Sequence, residues 1–592
     1  MCGILGTTDL DISSELLEKG LALLEKRGPD NSSLLNDGVV HFGHTRLAIL
    51  DLDERSNQPF NYSQKQKSVI LTFNGEIYNY LELRKELVTL GYEFTTNSDT
   101  EVVAASFIEW GTSCFNLFIG MWALAIRFEN KLILSRDRVG KKPLYYSSSM
   151  KNKVSFSSSI KALSLITDDK DISKEGLELY FALGFIPKQH TILTNIFKVE
   201  PGQVIVFYKK DDGFTLIESV SSKFTHATND RKKTFKKLFQ DAVERRVISD
   251  VPIATLMSGG VDSTIVSAST KASVGNTEAF FVDFENKKFS EKKWAHYLSD
   301  RNSIKLSTLL MKYEDLVVGF KSYFDAYEEP FADSSGIPTI AIFNKVANKY
   351  KVVLTGDGGD ELFYGYPHYL KKLVIYKLFW AFKVFNRTKL IPQSIRNIVS
   401  AEKRYFESNY LKNHAVITEF AADLINKEFN KSIMKSGGFL RGLSSYDRTF
   451  NNWPEKYLVK VDRASMFNSI EVRSPFLDEK VLYKVSKISL LYLFTPYAKK
   501  LYLKVIYFRL FGFKYLSASK RGFIPPLDQL RHENFSKENF AFIKKRIKVL
   551  SKDLHKEIDS ITFEDLEKDK ILFDRFFFFH EWLKFNQNTY NV

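Results

Sequence analysis

A cysteine directly after Met1 and followed by Gly3 is expected to become the first residue once the initiator methionine is removed, since small neighbours allow that removal. One residue then carries both a nucleophile and a base. An α-amine titrates near about 7.7–8.0, against about 10.4 for lysine, so a useful fraction is neutral at neutral pH and can accept the thiol proton. The thiolate of Cys2 attacks an amide carbonyl, and the same amine returns the proton to the departing ammonia. Four later segments supply recognition groups for an α-amino acid amide: Arg27-Gly28-Pro29-Asp30, Gly43-His44-Thr45-Arg46, Asn74-Gly75-Glu76 and Ser98-Asp99-Thr100-Glu101. An arginine can grip an α-carboxylate in a fork and an aspartate can pair with an α-ammonium. An Asn-Gly turn can aim a side-chain amide and a backbone N–H at an oxyanion. Plain alternatives stand beside these: a structural ion pair for Arg46 and Asp99, an ordinary hairpin turn for Asn74-Gly75.

A second chemistry is written in Leu256-Met257-Ser258-Gly259-Gly260-Val261-Asp262-Ser263, set between a β-branched run and a helical one. Glycines leave backbone N–H groups open to phosphate, the helix N-terminus adds positive potential, and Ser258 and Ser263 offer hydroxyls. Asp262 can face phosphate only through a cation, which makes it a candidate Mg²⁺ ligand. The sequence contains no G-x-x-x-x-G-K-[ST], which argues against cleavage at a γ-phosphate by a P-loop. Downstream, Thr355-Gly356-Asp357-Gly358-Gly359-Asp360-Glu361 places acids after another apolar run, at the carboxyl edge of a parallel sheet, where they can complete a metal shell with Asp262. Glu361 also reads as charge compensation at a helix start. Lys460-Val461-Asp462-Arg463 and Glu471-Val472-Arg473-Ser474-Pro475-Phe476-Leu477-Asp478 follow, and Lys520-Arg521-Gly522-Phe523 puts a cation on an expected loop. A lysine so placed would stabilise charge developing on phosphates and on a tetrahedral carbon.

In the first set of motifs the chain resembles the glutaminase domain of the class II, N-terminal-nucleophile amidotransferases. Ser-Gly-Gly-x-Asp-Ser is similar to the PP-loop of ATP pyrophosphatases, which leave AMP on the acceptor. With all the blocks in order from residue 2 to about 527, the chain resembles the glutamine-hydrolysing asparagine synthetases. The resemblance implies Cys2 as nucleophile, Arg46 on the glutamine carboxylate, Asn74 and Gly75 as oxyanion donors, and Glu76 and Asp99 at the amino end. It implies ATP on Leu256, Ser258, Gly259, Gly260, Asp262, Ser263, Val282, Thr355 and Gly356, with Mg²⁺ on Asp262 and Asp360. Asp357 would support the adenylate chemistry and Lys520 the transition state. ATP and Mg²⁺ are the implied cofactors, and glutamine, aspartate and ATP the substrates. Aspartate would be adenylated and then attacked by ammonia arriving through an internal tunnel. A homodimer stays open.

Some positions depart from that family's pattern. Asp357 stands where the best-known synthetases have Glu, Ser157-Ser158-Ser159-Ile160-Lys161 lacks the usual acid, Ala518 replaces an Arg, and Asp283 replaces a Gly. These changes spare the glutaminase chemistry and bear on the acceptor. A sugar uronic acid is the alternative carboxylate, and a catalytically inactive binding scaffold the alternative class. Intact Cys2, Arg46, Asp99, Asp262 and Asp360 argue against the scaffold.

The elements that must hold these residues can be read from periodicity. Short β-type runs at 39–42, 68–73, 121–127 and 131–135, interrupted by two helical stretches at 13–26 and 78–90, give a layered α+β domain on antiparallel sheets. The resemblance makes this an α/β/β/α Ntn-hydrolase domain. After a polar segment at 209–231 the text turns to α/β: helix 234–247, strand 253–257, helix 263–271, then strands 279–283 and 352–355, each trailed by a helix. That reads as a parallel sheet, adenine nucleotide alpha hydrolase-like by resemblance, with a helical part beyond about residue 366. The expected domains are 2–207 for the glutaminase, 208–233 for a linker and 234–592 for the synthetase.

At 592 residues the chain exceeds what one hydrophobic core supports, so two or three domains are expected. Two cysteines, Cys2 and Cys114, exclude a disulfide framework and point to a reducing compartment, the cytoplasm by default. No signal-type leader and no run of about 18 apolar residues are present. The net charge of +15 is spread among acids rather than gathered in one tract, which excludes nucleic acid as a favoured partner. The basic, aromatic stretch 369–396 reads as a helix with a solvated basic face, membrane-surface contact being its lesser alternative.

Overall fold

The computed structural model describes residues 2–148, 152–211, 213–222, 233–285, 292–366, 416–436, 439–451, 453–493, 499–516 and 527–591. Its N-terminal part carries β1 (Gly3–Thr7), β2 (Asn31–Asn36), β3 (His41–Arg46), β4 (Phe60–Gln64), β5 (Lys67–Ile77), β6 (Gly120–Phe128), β7 (Lys131–Arg136), β8 (Tyr145–Ser147), β9 (Ser155–Ser157), β10 (Phe197–Lys198), β11 (Gln203–Lys210) and β12 (Gly213–Ser221). They form two antiparallel sheets, ordered β10-β8-β9-β1-β3-β2 and β12-β11-β7-β6-β5-β4.

Strand alternation sorts the side chains between layers. Ile4 and Phe42 from the first sheet share a buried cluster with Ala123, Leu134 and Ile205 from the second, so this cluster fills the space between the sheets. Truncating a core aromatic such as Phe42 to alanine would cost about 3–5 kcal/mol. The helix Ser14–Ala22 covers the outer face of the first sheet, with Gly20 close against Leu5. Helices Tyr80–Thr89 and Asp99–Trp110 cover the second sheet through Leu83, Val102 and Phe107. The layering is α/β/β/α.

Helices Asp99–Trp110, Ile160–Thr167 and Lys174–Leu183 add to the two that periodicity suggests. The first of them is buried nearly all round, which erases the amphipathic signature that periodicity relies on. Its start is nevertheless marked by Ser98, whose hydroxyl caps the Thr100 N–H at 3.1 Å.

The C-terminal part holds one parallel sheet of β13 (Ile253–Leu256), β14 (Glu278–Phe284), β15 (Lys305–Met311), β16 (Val352–Leu354) and β17 (Glu471–Arg473), ordered β15-β14-β13-β16-β17. From β13 the chain builds outward to β14 and β15, then returns to lay β16 and β17 on the other side. The winding reverses between β13 and β16, and the crevice at their carboxyl ends is where ligands bind in such sheets. β15 and β17 were not evident from sequence, because β15 is half exposed at an edge and β17 is three residues long.

The helix Lys570–Asn586, rich in buried phenylalanines, ties the two parts together. The Tyr180 hydroxyl donates to the Arg575 carbonyl at 2.7 Å, and Trp582 Nε1 donates to the Glu328 carbonyl at 3.0 Å. Among the described residues no helix is long and apolar enough to cross a membrane. The 369–396 stretch and Lys520 lie outside the described residues.

Candidate active site

Cys2 sits at the head of β1, a central strand between β3 and β9, and is buried at 7% exposure. Its backbone N–H donates to Asn74 Oδ1 at 3.1 Å, and its carbonyl accepts from Arg27 Nε at 3.3 Å. Asn74 is wholly buried, and its Nδ2 has no hydrogen-bond partner among the described residues. A buried amide donor left unused beside a thiol is what an oxyanion site looks like before its ligand arrives. Asn74 and Gly75 do not form a turn, contrary to the expectation from the dipeptide. Both lie inside β5, opposite Ala123 and Trp122 of β6. Glycine is required at 75 for close approach, since a Cβ there would stand 2.1 Å from the Met121 carbonyl.

Arg46 ends β3 with its guanidinium on the loop that follows. Nη1 donates to the Asp53 carbonyl at 2.9 Å and to Asn57 Oδ1 at 2.8 Å, and Nη2 donates to the Asp51 carbonyl. The fork thus fixes the loop that follows β3, from Asp51 to Asn57.

Glu76 and Asp99 are brought together as acids of this pocket. Asp99 Oδ2 accepts the Ile77 N–H at 2.8 Å. Burial pushes Asp99 up to about 6 against that hydrogen bond, with the charge of Glu471 adding to the rise. Glu76 is raised well above the carboxylate range by burial and then by Glu471, while Arg473 opposes. Arg473 Nη2 lies 3.2 Å from Glu76 Oε1, and its Nε pairs with Glu471. A cation from the parallel sheet therefore completes the charge set of the N-terminal pocket. Sequence reading placed Arg473 in a motif block but could not pair it across 397 positions, as only the fold brings β5 and β17 together.

The second site lies in the crevice between β13 and β16. Leu256 and Val282 are half-buried on β13 and β14, next to the strand ends. Gly259 has φ +77°, and a Cβ there would stand 2.7 Å from the Ala295 nitrogen, so only glycine suits. Gly260 then caps the helix Val261–Val274. The Ser258 and Ser263 hydroxyls are 3.2 Å apart. The loop after β16 packs directly on this one, for a Cβ at Gly356 would meet the Ser263 nitrogen at 2.9 Å. Thr355 donates its hydroxyl to Asp357 Oδ2 at 2.6 Å.

Asp262 and Asp360 converge on one cation. The Lys500 ammonium pairs with Asp262 and lies 2.5 Å from Asp360 Oδ1, and this pairing holds the lysine above its ordinary range despite burial. Lys500 thus marks a cation position between the two carboxylates expected to take Mg²⁺. Two carboxylates plus substrate phosphates are the donor set that Mg²⁺ uses, so these residues fit the ion. Among the described residues no group of three or more His, Cys, Asp or Glu is arranged for a metal. Glu361 faces elsewhere: Tyr366 donates to its carboxylate at 2.6 Å, and burial pushes it up to about 7, with Asp360 adding. Nothing in the sequence around Lys500 signalled this role.

The two parts meet across buried ion pairs. Asp462 accepts from Arg27 Nη2 at 3.1 Å and from Lys142 Nζ at 2.7 Å. Burial would raise Asp462, yet Lys142 and then Arg27 outweigh it and hold the carboxyl far below its usual range. Arg136 reaches Glu455 at 3.0 Å and Lys198 reaches Glu329 at 2.8 Å.

Residues 1–216 match the family described as glutamine amidotransferase domain, and residues 234–555 match the family described as asparagine synthase. Over 515 residues the chain is 32% identical to putative asparagine synthetase (glutamine-hydrolyzing) 2 of Methanocaldococcus jannaschii, covering 79% of this chain and 98% of the relative. It is 30% identical over 527 residues to asparagine synthetase (glutamine-hydrolyzing) 1 of Bacillus subtilis, covering 82% and 81%. A further relative from that organism, asparagine synthetase (glutamine-hydrolyzing) 3, is 29% identical over 513 residues, covering 81% and 80%.

Proposed function

Because the chain belongs to the asparagine synthase family, we propose that it is a glutamine-dependent asparagine synthetase, a carbon–nitrogen ligase that takes its amide nitrogen from glutamine. The observation that carries this reading is Arg473, which touches both half-sites: its guanidinium meets Glu76, and its carbonyl accepts the Thr355 N–H at 3.0 Å. In this reading residues 2–207 form the glutaminase and 234–592 the synthetase, joined through 208–233.

Cys2, with its α-amine freed, attacks the carboxamide carbon of glutamine, and Asn74 Nδ2 with the Gly75 N–H takes the oxyanion. The carboxylates of Asp99 and Glu471 around Arg473, with Glu76 beside them, suit the α-ammonium of glutamine, and Arg46 supports the carboxylate end through the loop it fixes. The C–N bond breaks as the amine protonates the departing ammonia, water then cleaves the Cys2 thioester to release glutamate, and the ammonia passes to the crevice of the parallel sheet. There Ser258, Gly259, Gly260 and Ser263 surround the phosphates of ATP, Leu256, Val282, Thr355 and Gly356 border the nucleotide, and Asp357 faces the activated carboxylate. Asp262 and Asp360 would hold Mg²⁺, which supplies charge neutralisation on the phosphates when bound. Lys520 is assigned to the transition state on sequence alone. Incubation with glutamine, aspartate and Mg·ATP tests the proposal: asparagine, AMP, pyrophosphate and glutamate support it, and glutamate without asparagine contradicts it.

A further inference from the structure

Tyr515 reaches the glycine turn at 258–263 from the helical part of the chain. Its hydroxyl donates to the Gly259 carbonyl at 2.6 Å, and the residue is 4% exposed. The sequence builds this contact through a kink. Gly512, at φ +68°, interrupts the helical path of Phe508–Leu516 in a left-handed conformation that glycine tolerates, and the carbonyls just before it are left to find partners elsewhere. The helix Lys292–Arg301 and the residue after it supply them. Arg301 Nε donates to the Arg509 carbonyl at 3.2 Å, Asn302 Nδ2 to the Leu510 carbonyl at 3.1 Å, and the Tyr297 hydroxyl to the Phe511 carbonyl at 3.2 Å.

Beyond the kink the Tyr515 ring stacks on Phe511 with centroids 5.0 Å apart and meets Trp294 edge-on at 5.2 Å. The helix that carries Trp294 also presses on the turn, since a Cβ at Gly259 would stand 3.1 Å from Ala295 Cα. The tyrosine is therefore locked by its ring, and its hydroxyl falls on one peptide of the turn.

A carbonyl held on one side fixes the N–H on the other. The peptide unit is planar and trans, so the Gly259 carbonyl and the Gly260 N–H point in opposite directions. With the carbonyl turned to Tyr515, the Gly260 N–H faces Ser258 Oγ, 3.3 Å away. The Ser258 N–H in turn donates to Ser263 Oγ at 3.2 Å. Ser258 is exposed while Gly259 and Gly260 are buried, so these donors lie toward the open side of the turn and the tyrosine stands behind it.

We propose that Tyr515 is a positioning residue for nucleotide binding, which sets the Gly259–Gly260 peptide so that the Gly260 N–H is aimed at a phosphate. The inference rests on the reading of the 258–263 turn as the ATP loop. Without the hydroxyl the buried Gly259 carbonyl loses this bond, and the peptide is free to rotate its N–H away from the ligand.

The test titrates the full chain with Mg·ATP by calorimetry, in the absence of glutamine and aspartate, for wild type, Tyr515→Phe and Tyr515→Leu. Phenylalanine keeps the ring contacts and removes only the hydroxyl, and the Kd for ATP should rise about 10-fold, the worth of one buried hydrogen bond. Leucine should bind ATP no better than phenylalanine does. With ammonia as nitrogen source the KM for aspartate should stay within about twofold of wild type. An unchanged Kd in the Phe variant overturns the proposal, including the case in which the Leu variant alone is weakened, which would assign the effect to ring packing. An equal rise in the aspartate KM also overturns it, because the contact would then prop the whole crevice, and so does a Phe variant that fails to fold. If wild type binds no Mg·ATP, the reading of the turn as a nucleotide loop fails first and takes this inference with it.

Discussion

The Arg473 guanidinium lies 3.2 Å from the Glu76 carboxylate, joining the last strand of the parallel sheet to the acid wall of the cysteine pocket. The same side chain donates to the Arg246 and Ile248 carbonyls at 2.9 and 2.7 Å and is wholly buried. The acids near Cys2 are therefore joined by a cation from the parallel sheet.

Arg473→Met leaves Glu76, Asp99 and Glu471 buried without their shared cation. Breaking a buried pair in this way costs about 3–5 kcal/mol. The urea midpoint should drop and the KM for glutamine should rise. Arg473→Lys, retaining charge but not the fork, should fall between the two. A midpoint equal to wild type for the Met variant would mean the pair is idle.

Asp99 gives a pH-dependent signature. Its folded-state pKa of about 6 exceeds the unfolded value of about 3.9, so the folded chain holds an extra proton between these limits. Stability from this group is present below about pH 4 and declines as pH rises through 6. Asp99→Asn should therefore raise the denaturation midpoint at pH 7 and leave it unchanged near pH 4, while glutamine use falls. Equal effects at both pH values would rule out the raised pKa.

Cys2→Ala should abolish glutamine use while ammonia still supports asparagine formation. Asn74→Ala should slow glutamine hydrolysis about 100- to 1000-fold, the cost of one oxyanion donor, again sparing the ammonia reaction. Intact mass should show active enzyme beginning at Cys2. Loss of the ammonia reaction in either variant would contradict the division of labour.

Asp262→Asn should remove Mg²⁺-dependent AMP formation and leave basal glutaminase in place. It also strips Lys500 of one of its two carboxylates. Unchanged AMP release would put the metal elsewhere.

The strand-to-helix turn at 258–263 was legible in sequence because it is encoded in one short segment. The glycines at 259 and 260 and the cysteine at 2 fall where the fold uses them. What stayed hidden are partners set by topology: Arg27 and Asp462 are 435 positions apart, and Asp262 and Lys500 are 238 apart. No periodicity links such pairs. The Asn74-Gly75 reading failed in conformation, for the dipeptide signals a turn only where strand pairing does not claim it, and β6 claims it here.

The most direct measurement supplies glutamine labelled with ¹⁵N at its amide, together with aspartate and Mg·ATP, and follows the label and the nucleotide. The enzyme should deliver ¹⁵N-asparagine and AMP in equal amounts. Labelled ammonium without asparagine, or ADP in place of AMP, would contradict it.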